Sequence, residues 1–502
     1  MQAIAGGRSR APVAAWATLV AILSCSSLVL LRHPTSRLGL AGGVLGCLVA
    51  LVALNQRRIL SWRSVVSAII LALIFIPIRR YDFRSGLPFN LEIYRILLFA
   101  AAGLWVTALL IDPRVRFRKS LMDVPLATLA LVYLTSIAVS GSRLDQPGLG
   151  SAAIKQYSVF MSLLLVYFLI TSVARTFEDV EAILRVLVGG GAVVAFFSLI
   201  ESRTHWNAFN HLGTLFPFLR LTDQLSATDL ARGGHLRVLG SAQHPIALSA
   251  FLVMLVPLAG YLAARTRKGR WWFATFLLLA AAVGTLSRTG IVMLGVTLVV
   301  LVVLRPRDMR QLFGRTKYLI LPLLLAVHLA LPGTLGTLKD LFFANGGVIA
   351  QQQGGQVGSG RVASFGPGMT VIGQHPVLGL GYGTRITDDA DPYKNSFITD
   401  DGWLSTGMEA GIAAVLAWLW IFLSFLIRLG AAARKDHTPR GNLLAACAAS
   451  VTAFGFGMAT YDALTFLQVT FLLFIVLALG SVAFRVSVPR SQFASAPERH
   501  PS

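Results

Sequence analysis

Apolar residues in this chain come in long unbroken runs, most of about 15 to 22 residues, separated by short clusters rich in arginine. A helix needs a run of that length to cross a hydrocarbon core. Read this way, spans fall near 13–31, 38–54, 64–78, 91–111, 121–139, 157–173, 183–200, 245–264, 271–286, 291–304, 318–332, 409–427, 443–460 and 464–484. The pattern predicts an all-α polytopic membrane protein of about 14 transmembrane helices over residues 1–486. A polar, proline-containing tail at 487–502 reads as disordered. An outer-membrane barrel would show short alternating segments, and the continuous runs exclude it. The first run passes from Leu31 into Arg32-His33-Pro34 without a small-residue cleavage box, so it reads as a retained helix.

The polar clusters give a direction. Arg57, Arg58 and Arg63 form one basic loop, Arg114, Arg116, Arg118 and Lys119 another, and Arg265, Arg267, Lys268 and Arg270 a third. Arg305, Arg307, Arg310, Arg315 and Lys317 follow, then Arg428, Arg434, Lys435 and Arg440. With simple alternation all of these lie on one side, which the positive-inside rule makes the cytoplasm, with both termini there. The opposite face then receives the basic segment Arg79 to Arg84 and long loops at 201–244 and 332–405, the second between helices 11 and 12. Long polar insertions gathered on one face of a scaffold are where recognition and chemistry are usually carried.

Composition sharpens this picture. Only 13% of the 502 residues are charged and 55% are hydrophobic, against about a quarter charged in soluble domains. The formal charge of +22 is a sum over basic loops at a membrane surface and gives no case for nucleic-acid binding. Cys25, Cys47 and Cys447 lie inside apolar runs and read as packing residues.

Candidate chemistry sits on the outward face. Arg288, in the short turn Ser287-Arg288-Thr289-Gly290 between two spans, either snorkels or meets an anion through its guanidinium fork. Arg237 opens a segment that runs through Ser241, Gln243 and His244 to Pro245, a good first residue for a helix whose amides suit an anion. Arg361 opens an amphipathic helix closed by His375-Pro376, and Gly379, Gly381 and Gly383 then permit an irregular turn. Asp400 and Asp401 precede another helical pattern, so one of them caps it, or the pair serves as general base for a sugar hydroxyl. Trp403 is a candidate for stacking on a sugar face or for anchoring at the interface. His205, His211 and His235 match no metal motif, and Asp388, Asp389 and Asp391 read as a solvated acidic turn, so no metal site and no cofactor are expected.

With these motifs in place, the chain resembles the O-antigen ligase and O-antigen polymerase superfamily, over about 235–425. The matching pieces are Arg237 through Pro245, the Ser287-Arg288-Thr289-Gly290 turn, and Arg361 followed by His375-Pro376-Val377-Leu378-Gly379-Leu380-Gly381. The same loop ends in Asp400-Asp401, Trp403-Leu404 and Glu409-Ala410-Gly411. The resemblance implies a multi-pass protein of the cytoplasmic (inner) membrane with its site on the extracytoplasmic face. It implies glycosyl transfer from a polyprenyl-diphosphate-linked glycan to an acceptor saccharide or glycolipid, with no required metal and with envelope-assembly proteins as possible partners. Arg288 and Arg237 would then face the diphosphate, with Arg361, His244, His375 and Trp403 binding substrate and Asp400 or Asp401 acting on the acceptor. Arg80 and Arg84 are auxiliary candidates. Family ligases carry a histidine where this chain has Asp400, which tilts the expectation towards a polymerase, with a ligase as the alternative. A lipid-linked saccharide exporter is the rival of another class, but it would distribute ionisable residues along several spans.

Overall fold

The computed structural model describes residues 61–83, 92–111, 115–222, 231–232, 235–316, 361–385 and 400–486. The architecture is carried by α1 (Trp62–Phe75), α2 (Ile93–Ile111), α3 (Asp123–Val139), α4 (Leu149–Val173), α5 (Phe177–Thr204) and α6 (Pro245–Thr266). It continues with α7 (Gly269–Gly284), α8 (Arg288–Leu304), α9 (Arg361–Gln374), α10 (Gly402–Lys435), α11 (Pro439–Gly457) and α12 (Leu467–Arg485). Among the described residues six helices, α2, α4, α5, α6, α10 and α12, are long and apolar enough to cross a membrane, and α1, α3, α7 and α8 are shorter apolar helices. The expected spans at 13–31, 38–54 and 318–332 lie outside the described residues, as do Arg84, most of the loop at 332–405 and the tail. Each remaining expected span falls on a helix.

Helix starts follow from local chemistry. Thr176 and Asp179 form a reciprocal capping box at the start of α5, and Ser61 and Ser287 cap α1 and α8 through their hydroxyls. Pro245 and Pro439 stand in the first turns of α6 and α11, where the missing N–H costs nothing. Pro257 interrupts α6, and the Ser450 hydroxyl of α11 donates to the nearby Met254 carbonyl at 2.9 Å. The helix α12 is the axis of the bundle, with 94% of its apolar window buried, and α6 follows with 83%. On α2 and α8, exposed Phe99, Leu110, Val299 and Val303 leave apolar faces turned outward. Two short antiparallel strand pairs stand beside the bundle among the described residues, the smaller joining Ala231–Arg232 to His235–Leu236. Tyr81–Phe83 pairs antiparallel with Leu219–Leu221, so the segment after α1 is clamped to the loop after α5.

Contacts at the two ends of the bundle show which helix ends lie together. At one end meet Arg63 of α1 and Asp179 of α5, Arg265 of α6 and Glu181 of α5 (3.2 Å), and Arg440 of α11 and the Ala483 carbonyl of α12 (2.8 Å). At the other end Arg80, beyond α1, donates to the carbonyls of Gly240 and Ala242 (3.1 and 3.0 Å), just before α6. At that same end Ser136 of α3 donates to the Leu378 carbonyl (2.7 Å).

The helix α10 begins seven residues before the expected 409 and is broken at Ala410 and Gly411. Gly411 has φ +69° and ψ −174°, a region open essentially to glycine alone. The break frees backbone groups, and the stretch after α9 takes them up. Leu380 and Gly381 donate to the carbonyls of Met408 and Glu409 (both 2.9 Å), while Ile412 and Ala413 donate to those of Pro376 and Val377 (2.9 and 3.2 Å). The approach is so close that a Cβ on Gly411 would stand 2.1 Å from the Val377 oxygen, and one on Gly379 2.5 Å from the Glu409 carbonyl carbon. The His-Pro-x-x-Gly-x-Gly and Glu-x-Gly motifs are therefore two halves of one backbone junction. Gly411→Ala is expected to lower the thermal midpoint of the purified protein, from about 1–3 kcal/mol of backbone strain plus the clash. Gly260→Ala, where an added Cβ meets nothing within 4 Å in the helix α6, should leave the midpoint unchanged or raise it. Equal behaviour of the two variants would contradict the junction.

Candidate active site

The junction delivers Arg385. Two residues past Gly383 the chain turns this guanidinium into a setting where its side chain is only 12% exposed. Its Nε lies 3.1 Å from Glu409, its Nη1 donates to the Ser405 hydroxyl at 2.6 Å, and its Nη2 pairs with Asp462. Glu409 also accepts from the Gly383 amide at 3.3 Å, which ties it back to the glycine loop. Burial alone would lower the pKa of Arg385, but the carboxylates of Asp462 and Glu409 outweigh it and hold the guanidinium above its ordinary value. One cation thus faces two carboxylates, and the group is permanently charged.

Asp462 stands in the turn between α11 and α12, and that turn is where the rest of the site meets. The Gly402 amide donates to the carbonyls of Met458 and Tyr461 (2.6 and 3.2 Å), fixing the start of α10 against it. Asp401 caps α10, accepting from the amides of Trp403 and Leu404 (2.8 and 3.1 Å), and Asp400 immediately precedes it. On the other side of the turn, Phe466 lies with its ring centroid 5.9 Å from that of His244 and 5.9 Å from that of Tyr461. His244 caps α6, its Nδ1 accepting from Ile246 at 3.2 Å, so in the neutral ring the proton is on Nε2.

The arginine-bearing segments are held by buried polar groups. Glu201, at the end of α5, accepts from Asn207 (3.0 Å) and from the amides of Leu239 and Gly240 (3.1 and 2.8 Å). Arg80 holds the carbonyls of the same segment and also bonds to Asn210. Arg237, buried, donates from Nε to the Thr285 carbonyl at 3.1 Å, two residues before the Ser287 cap of α8. It therefore ties the entry to α6 to the turn that carries Arg288. The two helix starts touch directly, since a Cβ on Gly290 would stand 1.8 Å from the Ser249 hydroxyl of α6.

The expected residues thus divide. Arg237, His244, Arg288, Asp400 and Asp401 stand at the same end of the bundle, on elements that meet directly or through the 458–466 turn, and Arg80 supports them from behind. Trp403 is turned into the bundle, with its indole N–H on the Gly455 carbonyl (3.0 Å) and its ring edge-to-face with Phe422 (5.8 Å). His375 is exposed, and its amide closes α9 on the Val371 carbonyl at 3.0 Å. Arg361 is the first residue of α9, about 20 Å along the axis from His375 at 1.5 Å per residue. Glu92 and Arg95 form a local pair at 3.3 Å.

Sequence reasoning did not single out Arg385 and Asp462. The signal for Asp462 was present: an acid in an interruption of a few residues between two apolar runs, the same argument that marked Arg288.

The described residues define a polytopic helical membrane protein with a polar, arginine-rich cluster at one end of the bundle. Residues 273–419 match the family model described as O-antigen ligase, which supports the resemblance to the O-antigen ligase and polymerase superfamily read from the sequence. The matched stretch contains Arg288, Arg361, His375, Arg385, Asp400 and Glu409, while Arg80, Arg237 and His244 lie upstream of it. No curated protein matches the chain at a significant level.

Removing Arg385 would leave two partly buried carboxylates facing each other. Arg385→Ala is expected to destabilise the protein by about 3–5 kcal/mol, and Glu409→Gln in the same chain should recover part of that loss. A denaturation series in detergent checks both, and the absence of recovery would count against the shared-cation arrangement.

Proposed function

We propose that the protein is a polysaccharide polymerase that uses a polyprenyl-diphosphate-linked oligosaccharide as donor on the extracytoplasmic face. The family match supports O-antigen ligase or polymerase-type glycosyl transfer in general. A transfer site at this end is supported by the meeting of the Arg237 and Arg288 segments with the Asp400–Asp401 segment around the 458–466 turn. The polymerase is favoured by Asp400 in place of the histidine of family ligases. In the reaction, the acceptor hydroxyl oxygen bonds to the anomeric carbon of the donor sugar as the bond from that carbon to the diphosphate breaks. The hydroxyl proton passes to Asp400, and the diphosphate leaves on its lipid, its growing charge met by Arg288 and Arg237. Asp401 caps α10 through its carboxylate, and Asp400 stands at the position where family ligases carry a histidine, which favours Asp400 as the base. Arginine forks can supply the charge compensation that a divalent ion supplies elsewhere. The basic residues at the opposite end, among them Arg63, Arg265, Arg305 and Arg440, support a cytoplasmic placement of that end.

The test is reconstitution in lipid with a polyprenyl-diphosphate oligosaccharide, reading glycan chain length and released polyprenyl diphosphate. Arg288→Ala is expected to slow transfer about 10²–10³-fold and Asp400→Ala about 10²–10⁴-fold, with folding intact. Product on a separate glycolipid or protein acceptor, without chain extension, would replace the polymerase reading with the ligase. Movement of the intact lipid-linked sugar across the bilayer without transfer would replace both with an exporter.

A further inference from the structure

At the end of the bundle opposite the candidate site, α5 and α7 part to leave a groove of about 390 Å³. Its wall is made of Gly189 and Ala192 of α5 and Ala274 of α7, with Trp271 beside them and Arg185 and Arg270 at its rim. Gly189 is what keeps the wall low, since an added Cβ there meets nothing within 4 Å. Arg185 stands 16 residues before Glu201 on α5, about 24 Å along the axis at 1.5 Å per residue, so the groove is separate from the site described above.

The rim is electropositive beyond what its own acid neutralises. Glu181 is the carboxylate that meets Arg185 (2.8 Å), and it is shared with Arg265 (3.2 Å) and with the Tyr261 hydroxyl (2.7 Å). Arg270 lies over the Trp271 ring, 5.2 Å from its centroid. Arg267 and Lys268 are exposed on the same connection but do not line the groove. Trp271 is itself only 7% exposed, and its indole N–H has no acceptor among the described residues. A groove with an apolar floor, two arginines at its mouth and an orphaned donor beside them asks for a molecule that is apolar along its length and anionic at one end. Free phosphate would leave the apolar wall unused, and a zwitterionic lipid would bring a second cation against the arginines.

We propose that this groove is a binding site for one anionic phospholipid, its phosphate held between Arg185 and Arg270 and an acyl chain lying on Gly189, Ala192 and Ala274. An ester carbonyl of the same lipid would give the Trp271 N–H its acceptor. Each arginine near an anionic headgroup contributes enough that losing both should weaken binding about tenfold or more.

The test uses the full-length protein, delipidated in neutral detergent and titrated with phosphatidylglycerol, with phosphatidylcholine of the same chains, or with inorganic phosphate. Native mass spectrometry reads retained lipid, and the thermal midpoint reads stabilisation. One phosphatidylglycerol is expected to be retained at least tenfold more tightly than phosphatidylcholine and to raise the midpoint, with no effect of inorganic phosphate. Arg185→Gln with Arg270→Gln should abolish the preference. Gly189→Leu, which keeps both arginines and fills the groove, should also lower retention. Arg267→Gln with Lys268→Gln, the same charge change away from the groove, should leave it intact. Equal retention of the two lipids, equal stabilisation by inorganic phosphate, or an equal loss in the Arg267 and Lys268 control would each overturn the assignment.

Discussion

A helix that stops hydrogen-bonding to itself at a buried stretch of backbone must give its free amides and carbonyls to another piece of chain, because leaving them unpaired is costly. The break at Ala410 and Gly411 imposes that constraint, and the loop from Pro376 to Gly381 answers it with four backbone bonds. Everything that looks chemical around it depends on this junction. It aims Arg385, it places Glu409, and it sets the Asp400–Asp401 segment where the 458–466 turn can receive it. Ser136 and Tyr133 of α3 add side support, with Tyr133 stacked on Tyr382 at 3.7 Å between centroids and accepting from Trp418 at 2.8 Å.

Much of the helical scaffold was legible from apolar run length, because membrane helices must satisfy their own backbone and announce themselves by composition. Helix starts were legible too: Pro245 at the start of α6 and Asp401 before α10 follow from proline and capping chemistry, and Arg361 at α9 from the amphipathic pattern it opens. What could not be read was the break within α10. Residues 402–411 carry a helical pattern, and only the loop that fits against them reveals that Gly411 is needed for its φ and for close approach. The same holds for Trp403, which reads as an interface or stacking residue in sequence but is turned inward onto Gly455 and Phe422.

Pairing was the other illegible layer. Arg385 stands 77 residues from Asp462 and 24 from Glu409, and no local spacing links them. Glu201 reaches across nearly 40 residues to the amides of Leu239 and Gly240. These are long-range polar contacts at the end of a bundle, where sequence periodicity carries no information. They also divide the molecule chemically. One end gathers the glycine loop and an arginine shared by two carboxylates, while the other holds a carboxylate shared by two arginines.

The order of residues along the chain gives the junction a further property. The loop at 376–385 is synthesised before the helix it docks on, and Asp462 comes later than both. During insertion Arg385 must therefore wait, first for Glu409 and then for the last pair of helices, before its charge is fully compensated. The site cannot be assembled piecemeal as each helix enters the bilayer. It closes only when α11 and α12 have arrived, so a truncated or incompletely inserted chain holds the arginine and glycine motifs without the arrangement that makes them a site. The candidate site is thus completed by the turn that joins α11 to α12.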